Sequence, residues 1–386
     1  MSTLDLTIAH LDRLVSFPTV SSDSNLELIH WIAEQLSNLD AQVEIMVSPE
    51  GDKANLFASF GPDEAGGIVL SGHTDVVPVE DQPWSTEPFA LTRQDDRLLG
   101  RGTCDMKGFI ACCLAVAPAI AAADLRRPIH FAFTYDEETG CLGGRELVAA
   151  LSARDKRPAL AIVGEPTEMR IIEGHKGCHE YTTVFHGLEG HGSDPDAGVS
   201  AVEYAVRYVS RLLEVKAELA ANPVPGSRFS PPWTTINVGS LSGGVAHNVI
   251  APLAEVSWDL RPVRDADQAW VKTTMEDFAQ NTLLPEMQSV HPEAAIETHT
   301  IGEVQGLEPM DDNEARDLVM GLTGGNTTDV VSFGTEAGLF QSLGMSVVVC
   351  GPGSIVQAHK ADEYIEVSEL EACLAMLERL IERASS

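Results

Sequence analysis

The sequence has few basic residues and no long uninterrupted apolar segment. Of its 386 residues, 25 are lysine or arginine and 58 are aspartate or glutamate, which gives a formal net charge of −33 at pH 7. Nucleic acids and anionic membranes are themselves negative, so this charge disfavours both as partners. Hydrophobic residues make up 44% of the chain. No apolar run approaches the length of about 18 residues that a membrane-spanning helix needs, so we expect no such helix.

The cysteines and the first residues of the chain carry no sign of export. The seven cysteines are an odd number and show neither a disulfide framework nor a CxxC zinc pattern. The opening segment MSTLDLTIAHLDRL lacks the basic region and apolar stretch of a secretory signal. We therefore expect a cytoplasmic protein. Its acidic residues are most simply interpreted as a solvated surface, with salt tolerance or attraction for cationic substrates as alternatives.

The hydrophobic pattern predicts an α/β protein with two domains. Up to residue 178, short apolar runs alternate with helical patterns such as Gly108–Ala123, which predicts a mostly parallel sheet flanked by helices. From 179 to 302 the order of predicted strands and helices changes to that of a ferredoxin-like α+β domain. Candidate ligands lie on both sides of this insert, so we predict a discontinuous first domain formed by residues 1–178 and 303–386.

Side chains that can bind metal follow several of the predicted strands. In open α/β sheets ligands bind at the carboxyl ends of strands, so these side chains are expected to converge. The apolar runs that precede them are Gly67–Leu70, Ile129–Thr134, Leu160–Val163 and Val347–Cys350. The candidate ligands are His73, Asp105, Glu138, Glu165 and His359. Carboxylates and imidazoles suit zinc and other divalent ions, so this set predicts a metal site.

Each candidate ligand also has an ordinary structural interpretation. A lone histidine at a strand end is more often structural, and Asp105 could cap the helix that follows it. Glu137 and Glu138 could form a solvated turn. Glu165 could cap a helix, and His359 could lie on the surface of a loop. Their occurrence together at separate strand ends, with two adjacent carboxylates in one motif, favours a metal centre.

The number of candidate ligands suits two metal ions that share one carboxylate. Two such ions need about two further ligands each, and the five residues supply that number. Glu137 lies beside Glu138 but on the opposite side of an extended backbone, where it could take a proton from a water activated by metal. Asp75, two residues after His73, could accept the ring N–H of that histidine and orient it.

The motifs resemble those of the M20 family of dinuclear-zinc metallopeptidases and deacylases. The resemblance covers essentially the whole chain and includes SGHTDVVP, GRGTCDMKG, DEETG, GEPT, GHGSDPDAGVSA and GPGSIVQAHKADEYIE. The metal motifs mark the whole superfamily. HKG, FGTEA and GPGSIVQAHKADEY lean towards the branch that acts on acetylornithine.

The resemblance implies two zinc ions per subunit, for which cobalt can substitute. The implied ligands are His73, Asp105 and Glu165 for one ion, and Asp105, Glu138 and His359 for the other. Asp105 would therefore bridge the two ions. By the same resemblance, Glu137 is the general base and acid, and Asp75 orients His73.

The resemblance also implies roles for residues outside the metal centre. The insert is implied to be a dimerisation and lid domain, in which His191 stabilises the oxyanion across a homodimer interface. Asn248 and Arg261 match positions that bind the substrate carboxylate, with an ion-paired structural arginine as the competing interpretation. The remaining candidate pocket residues are Thr335, Glu336 and Ser354. Glu336 could receive the ammonium group of an ornithine side chain, or it could be a surface carboxylate.

The implied reaction is hydrolysis of an N-acyl derivative of a small amino acid, with N2-acetyl-L-ornithine giving acetate and L-ornithine. Zinc would polarise the carbonyl, and Glu137 would move a proton from water to the departing amine. Desuccinylation of a diaminopimelate, acylcitrulline deacylation and dipeptide cleavage are alternatives, because the metal core acts on the amide and not on the side chain. A catalytically silent binding protein should have lost a ligand or the base, and this chain has every one.

Overall fold

The computed structural model of the protein describes residues 2–386 and divides into two compact units. The first unit comprises the chain up to Gly174, Pro309–Val330 and Thr335–Ser386. The second unit comprises His175–Glu308 and Val331–Gly334. It begins and ends a few residues outside the predicted 179–302 insert, and a short return segment belongs to it as well.

The first unit begins with two helices and five consecutive strands and then mostly alternates helices with strands, whereas the second unit groups them differently. The helices are α1 Thr3–Val15, α2 Leu26–Ser37, α3 Gly108–Ala122, α4 Leu142–Ser152, α5 Ala201–Ala221, α6 Asp265–Phe278, α7 Leu284–Val290, α8 Glu314–Thr323, α9 Ala337–Ser342 and α10 Val367–Ala384. The strands are β1 Gln42–Val47, β2 Ala54–Phe60, β3 Ile68–His73, β4 Thr92–Gln94, β5 Arg97–Leu99, β6 Ile129–Thr134, β7 Leu160–Pro166, β8 Ile171–His175, β9 Cys178–His186, β10 Gly190–His191, β11 Thr235–Gly243, β12 Val249–Ile250, β13 Leu253–Arg261, β14 Ala295–Val304, β15 Thr328–Val331, β16 Ser346–Gly351 and β17 Tyr364–Glu366. Shorter helical turns span Thr103–Lys107, Pro195–Ala197 and Ala279–Leu283.

The largest sheet among the described residues has eight strands in the order β1-β2-β6-β3-β7-β16-β8-β15. Its central strands β6, β3, β7 and β16 are parallel, as predicted. Strands β1 and β2 pair in antiparallel fashion, as do β2 with β6 and β8 with β16. The sheet is therefore mixed, because the connections 48–53 and 167–170 are too short for the crossover that a parallel pair requires.

The central strands and helix α3 form the core of the first unit. Strand β3 is buried along its whole length, as is typical of a parallel strand covered on both faces. The segment Thr103–Ala122 is long and apolar enough to cross a membrane, which the sequence interpretation did not expect. In the structure 83% of the most apolar stretch of this segment is buried, and α3 packs against α1 and α10. The segment is thus a core helix of this unit.

The second unit has its own sheet and its own hydrophobic core. Its four strands are antiparallel in the order β11-β13-β9-β14. The chain order β9-α5-β11-β13-α6-β14 with this strand order is the ferredoxin-like arrangement that the sequence predicted. Helix α5 packs on the sheet through residues at helical spacing, among them Ala205, Tyr208, Leu212 and Val215.

Candidate metal and catalytic site

The bridging candidate Asp105 lies between two histidines that are 286 positions apart in the sequence (359 − 73). Asp105 Oδ1 is 3.1 Å from Nε2 of His73, whereas its other oxygen, Oδ2, is 3.4 Å from Nε2 of His359. Each carboxylate oxygen thus faces a different imidazole. This is the arrangement that a carboxylate shared between two cations requires.

The other predicted ligands lie beside these two histidines. Glu165 Oε1 is 3.8 Å from Nε2 of His73, at the end of β7. Glu138, in the loop after β6, has its carboxylate 3.1 Å from Nε2 of His359. Ligand atoms of His73, Glu137 and Glu165 lie within 4.8 Å of one another. The structure therefore brings together all five predicted ligands and the predicted base.

The chemistry of the cluster fits a divalent cation. Glu165 Oε1 is buried and has no hydrogen-bond partner among residues 2–386. Burial raises the pKa of Glu165 well above its usual value, and the Asp105 carboxylate raises it further. Hydrogen bonds to Asp105 and Glu138 raise the pKa of His359 to about 10. The effect of Asp105 on Glu165 and the raised pKa of His359 both reflect the negative charge of the neighbouring carboxylates, which a bound cation would neutralise.

Asp75 is linked both to His73 and to the loop that carries Glu137. The ring Nδ1 of His73 donates to the backbone carbonyl oxygen of Asp75 at 2.9 Å, and the Asp75 carboxylate is farther away, at 3.5 Å. The two carboxylate oxygens accept the backbone N–H groups of Glu137 and Glu138 at 3.1 and 3.3 Å. The hydroxyl of Ser21, which the sequence interpretation missed, donates to the same carboxylate at 2.7 Å. Asp75 thus orients the histidine chiefly through its carbonyl group.

The loops of the site contain residues in an unusual backbone conformation. Asp136 and His359 have φ angles of 52° and 62°, in the left-handed region that residues other than glycine rarely adopt. Asp136 is held by Lys53, whose ammonium nitrogen is 2.7 Å from its carboxylate. Such conformations cluster at functional sites, where the surroundings enforce them.

The predicted pocket residues of the first unit have different environments. Glu336 is only 1% exposed, and its two carboxylate oxygens accept the hydroxyls of Ser71 and Thr134 at 2.6 and 2.8 Å. It is therefore not a surface carboxylate, and both of its oxygens are already engaged. Thr335 is also buried and accepts the backbone N–H of Ala337. Ser354 is partly buried and forms an isolated bridge with Thr167.

The predicted site residues of the second unit are exposed or engaged with neighbours. His191 lies in β10, is exposed, and contacts the Ser193 hydroxyl through Nδ1 at 2.7 Å. Asn248 is exposed, and its backbone carbonyl oxygen accepts the backbone N–H of Gly192. Arg261 Nε is 3.3 Å from Asp259 Oδ1. This ion pair corresponds to the structural alternative that the sequence left open for Arg261.

Two buried residues close to the Asp105 loop had no predicted role. Arg101 and Glu363 are each 1% exposed and form an ion pair with a distance of 2.7 Å between Nη1 and Oε2. Glu363 follows His359 by four residues within a motif that the resemblance already covered. Its position in that motif could have indicated that Glu363 belongs to the site. The ion pair itself could not be predicted, because Arg101 and Glu363 are 262 residues apart in the sequence.

The fold and the sequence are similar to those of known hydrolases. Acetylornithine deacetylase from Klebsiella pneumoniae (strain 342) is 34% identical over 379 residues, which are 95% of this chain and 95% of the relative. The structure of an M20 family metallo-carboxypeptidase from Sulfolobus solfataricus has a TM-score of 0.77 at 16% identity and covers 98% of this chain and 99% of that chain. A tripeptidase from Staphylococcus aureus has a TM-score of 0.75 at 18% identity, covering 99% and 98%. These structures share the fold. Residues 69–383 match Peptidase family M20/M25/M40, and the chain belongs to this family.

Proposed function

We propose that the protein hydrolyses N2-acetyl-L-ornithine to acetate and L-ornithine and so supplies ornithine for arginine biosynthesis. The observation that carries this proposal is the convergence of His73, Asp105 and His359 with three glutamates on one site. The acetylated substrate is inferred from the relatives named acetylornithine deacetylase, which match 95% of the chain.

The cofactor we propose is a pair of zinc ions per subunit, with cobalt as a substitute. The residues that would hold them are His73, Asp105 and Glu165 for one ion and Asp105, Glu138 and His359 for the other. Bound there, the ions would supply Lewis-acid polarisation of the acyl carbonyl and a lower pKa for the attacking water. The unpartnered oxygen of Glu165 supports a cation at this position.

Glu137 is proposed to move the proton during hydrolysis. Burial raises the pKa of its carboxyl group well above the usual value, and the neighbouring Glu138 raises it further. A base with a raised pKa takes a proton from water more readily and then gives it to the departing amine. Asp75, which accepts the N–H groups of Glu137 and Glu138, fixes the loop from which this transfer takes place.

The second unit is proposed to contribute residues to substrate binding in a homodimer. In this proposal His191 donates a hydrogen bond to the oxyanion of the opposite subunit, which lowers the barrier to acyl transfer. Asn248 and Arg261 would bind the substrate carboxylate, and Arg261 would exchange its contact with Asp259 for the substrate. Thr335 and Ser354 would line the pocket beside the metal centre.

We also propose a cytoplasmic location. The buried cysteines Cys104, Cys112, Cys113, Cys141, Cys350 and Cys373 are free thiols. Free, mostly buried thiols are typical of proteins in a reducing compartment.

The substrate proposal is tested by measuring kcat/KM on a matched panel with the protein reconstituted with zinc or cobalt. The panel contains N-acetyl-ornithine, N-acetyl-citrulline, N-acetyl-methionine, N-succinyl-diaminopimelate and an Ala-Ala dipeptide. We expect the highest kcat/KM on N-acetyl-ornithine. A preference for another member would refute the substrate assignment while leaving the metal-assisted hydrolysis in place. No hydrolysis of any member would contradict the proposed reaction as a whole.

A further inference from the structure

A single buried carboxylate organises the backbone around Asp105. Glu363 Oε1 accepts the backbone N–H groups of Cys104 and Asp105 at 2.9 and 3.1 Å. Its second oxygen, Oε2, accepts the N–H of Gly102 at 3.0 Å and the guanidinium of Arg101 at 2.7 Å. Both oxygens are therefore fully used, and Glu363 is not available as a further metal ligand. Its contacts instead fix the main chain that carries the bridging candidate.

The guanidinium of Arg101 extends this network to the loop that carries His359. It donates to the carbonyl oxygen of Lys360 at 3.2 Å and to Gln82 Oε1 at 2.6 Å. The amide nitrogen of Gln82 in turn donates to the carbonyl oxygen of His359 at 3.0 Å. The His359 loop is thus tied to the Asp105 loop by hydrogen bonds on both sides of the Arg101–Glu363 pair.

A buried ion pair is not explained by stability alone. Removing two charges from water costs several kcal/mol, and well-packed apolar residues often stabilise a core as well or better. Here the hydrogen bonds of the pair to other residues go to backbone groups or to Gln82. Several of them reach the Asp105 loop and the His359 loop, whose candidate ligands are more than 250 residues apart in sequence (359 − 105 = 254).

We propose that Arg101 and Glu363 are positioning residues that set the distance between Asp105 and His359. This distance defines the second metal position, formed by Asp105, Glu138 and His359, whereas the first position also depends on His73 and Glu165. The inference rests on the proposed metal site. Loss of the pair should therefore weaken the second metal position selectively.

The test is the binding of Co²⁺ or Zn²⁺ to metal-free protein carrying Glu363→Gln, followed by calorimetric titration and by the absorption of bound Co²⁺. The variant keeps the size of the side chain, but its amide nitrogen cannot accept hydrogen bonds. It therefore loses either the N–H groups of Cys104 and Asp105 or the Gly102 N–H and the Arg101 guanidinium, according to which oxygen it replaces. Partners that orient metal ligands change metal affinity by about 10- to 100-fold. We expect a loss of this size for the second ion, with the first ion bound as in the wild type.

A matched control separates this effect from general destabilisation. Glu173 is another buried glutamate of the first unit, paired with Arg316 at 3.2 Å and accepting the Thr328 hydroxyl. Glu173→Gln should lower the melting temperature but leave both metal affinities unchanged. The proposal would be overturned if Glu363→Gln bound both ions with the wild-type affinities. It would also be overturned if Glu173→Gln lost as much affinity for the second ion as Glu363→Gln.

A double variant covers the case in which Glu363→Gln leaves Arg101 as an unpaired buried charge and does not fold. Arg101→Met combined with Glu363→Gln removes both charges, and a folded double variant should show the same selective loss of the second ion. Wild-type affinities in the double variant would refute the proposal. If neither variant folds, the pair determines the fold instead, and the proposal is wrong. If the wild-type protein binds no metal, the proposed function is contradicted. If the wild type binds two ions but the variants lose affinity for both equally, only the positioning role of the pair is contradicted.

Discussion

Glu137 and Glu138 are neighbours in the sequence but have different partners in the structure. Glu138 contacts His359, whereas Glu137 lies close to His73 and Glu165. Both backbone N–H groups are held by the carboxylate of Asp75. One short loop therefore supplies a proposed metal ligand, Glu138, and a separate carboxylate, Glu137, for the proposed proton transfer.

This difference predicts the behaviour of Glu137→Gln. The amide has the same shape but cannot accept a proton, and general acid–base catalysis contributes about 10²- to 10⁴-fold to a rate. We expect kcat on N-acetyl-ornithine to fall by a factor in this range, while the metal content stays at the wild-type value. Glu64→Gln, at an exposed position of the same unit, is the control and should retain full activity. An unchanged kcat in Glu137→Gln would show that another group moves the proton.

At the scale of residues, the sequence could predict which candidate ligands come together, but not all of their hydrogen-bond partners. His73 and Glu165 were predictable because each lies at the end of a short apolar run that forms a central strand. The principal acceptor for the His73 ring is the backbone carbonyl of Asp75, and every residue has a carbonyl, so no side-chain pattern reveals it. The contacts of Glu363 span up to 262 residues, and no local pattern predicts a contact of that range.

At the scale of elements, Glu336 joins two parallel strands. It precedes α9, and its carboxylate binds Ser71 near the end of β3 and Thr134 at the end of β6. Strand β3 ends at His73, and the chain after β6 leads into Glu137 and Glu138. The buried carboxylate thus holds together the strand ends from which the ligand loops start.

We expect Glu336→Ala to lower stability without changing substrate preference. The variant removes the acceptor of the Thr134 hydroxyl and leaves Ser71 only the Ala132 carbonyl oxygen, at 3.2 Å. An unsatisfied buried group costs about 1–3 kcal/mol. The free energy of unfolding should fall accordingly, while the ratio of kcat/KM on N-acetyl-ornithine to that on N-acetyl-methionine stays constant. Glu336→Gln, which keeps one acceptor, should show a smaller loss of stability. A tenfold fall in the ratio would instead support direct binding of the ornithine ammonium group.

The pattern of elements predicted the centre of the large sheet better than its edges. Central parallel strands are buried on both faces and give unbroken apolar runs, which are visible in the sequence. The edge strand β1 alternates between exposed and partly buried residues, and its direction follows from the short connection 48–53. In the second unit the two βαβ halves have helices of clear amphipathic period, so the ferredoxin-like order was predictable.

At the scale of the whole molecule, His175 predicts a dependence of stability on pH. Burial lowers its pKa to about 4, while its ring nitrogen contacts the Lys176 carbonyl oxygen at 3.0 Å. The unfolded chain binds the proton at a pKa of about 6.5, so the contribution to stability is complete above that pH. It is lost as the pH falls from about 6.5 to about 4, by about 3 kcal/mol in total.

Urea unfolding of the metal-free protein across this pH range measures the effect. His175→Gln should be less stable at neutral pH but should lose less stability on acidification than the wild type. His247→Gln, at an exposed position, should follow the wild-type curve. Parallel curves for the wild type and His175→Gln would contradict the assignment to this histidine.

The proposed homodimer predicts that two inactive variants restore activity together. If His191 acts on the partner's site, a hybrid of His191→Ala and Glu137→Gln subunits has one site with both functional groups intact. Random pairing makes half of the dimers hybrid, so co-expressed variants should regain about a quarter of the wild-type activity. The measurement is kcat/KM of the mixture against each variant alone. If the mixture is no more active than the separate variants, His191 acts on the site of its own subunit or takes no part in catalysis.

The position of the second unit in the chain also affects how the protein is made. His73, Asp105, Glu137, Glu138 and Glu165 precede this unit, whereas His359 and Glu363 follow it. Because a ribosome synthesises the chain from its N-terminus, and domains fold as units during synthesis, the second unit emerges before His359, the last candidate ligand, exists. Early in translation the nascent chain offers a metal ion an incomplete set of ligands. Full occupation of both proposed metal positions is therefore delayed until the second unit and then His359 have been synthesised.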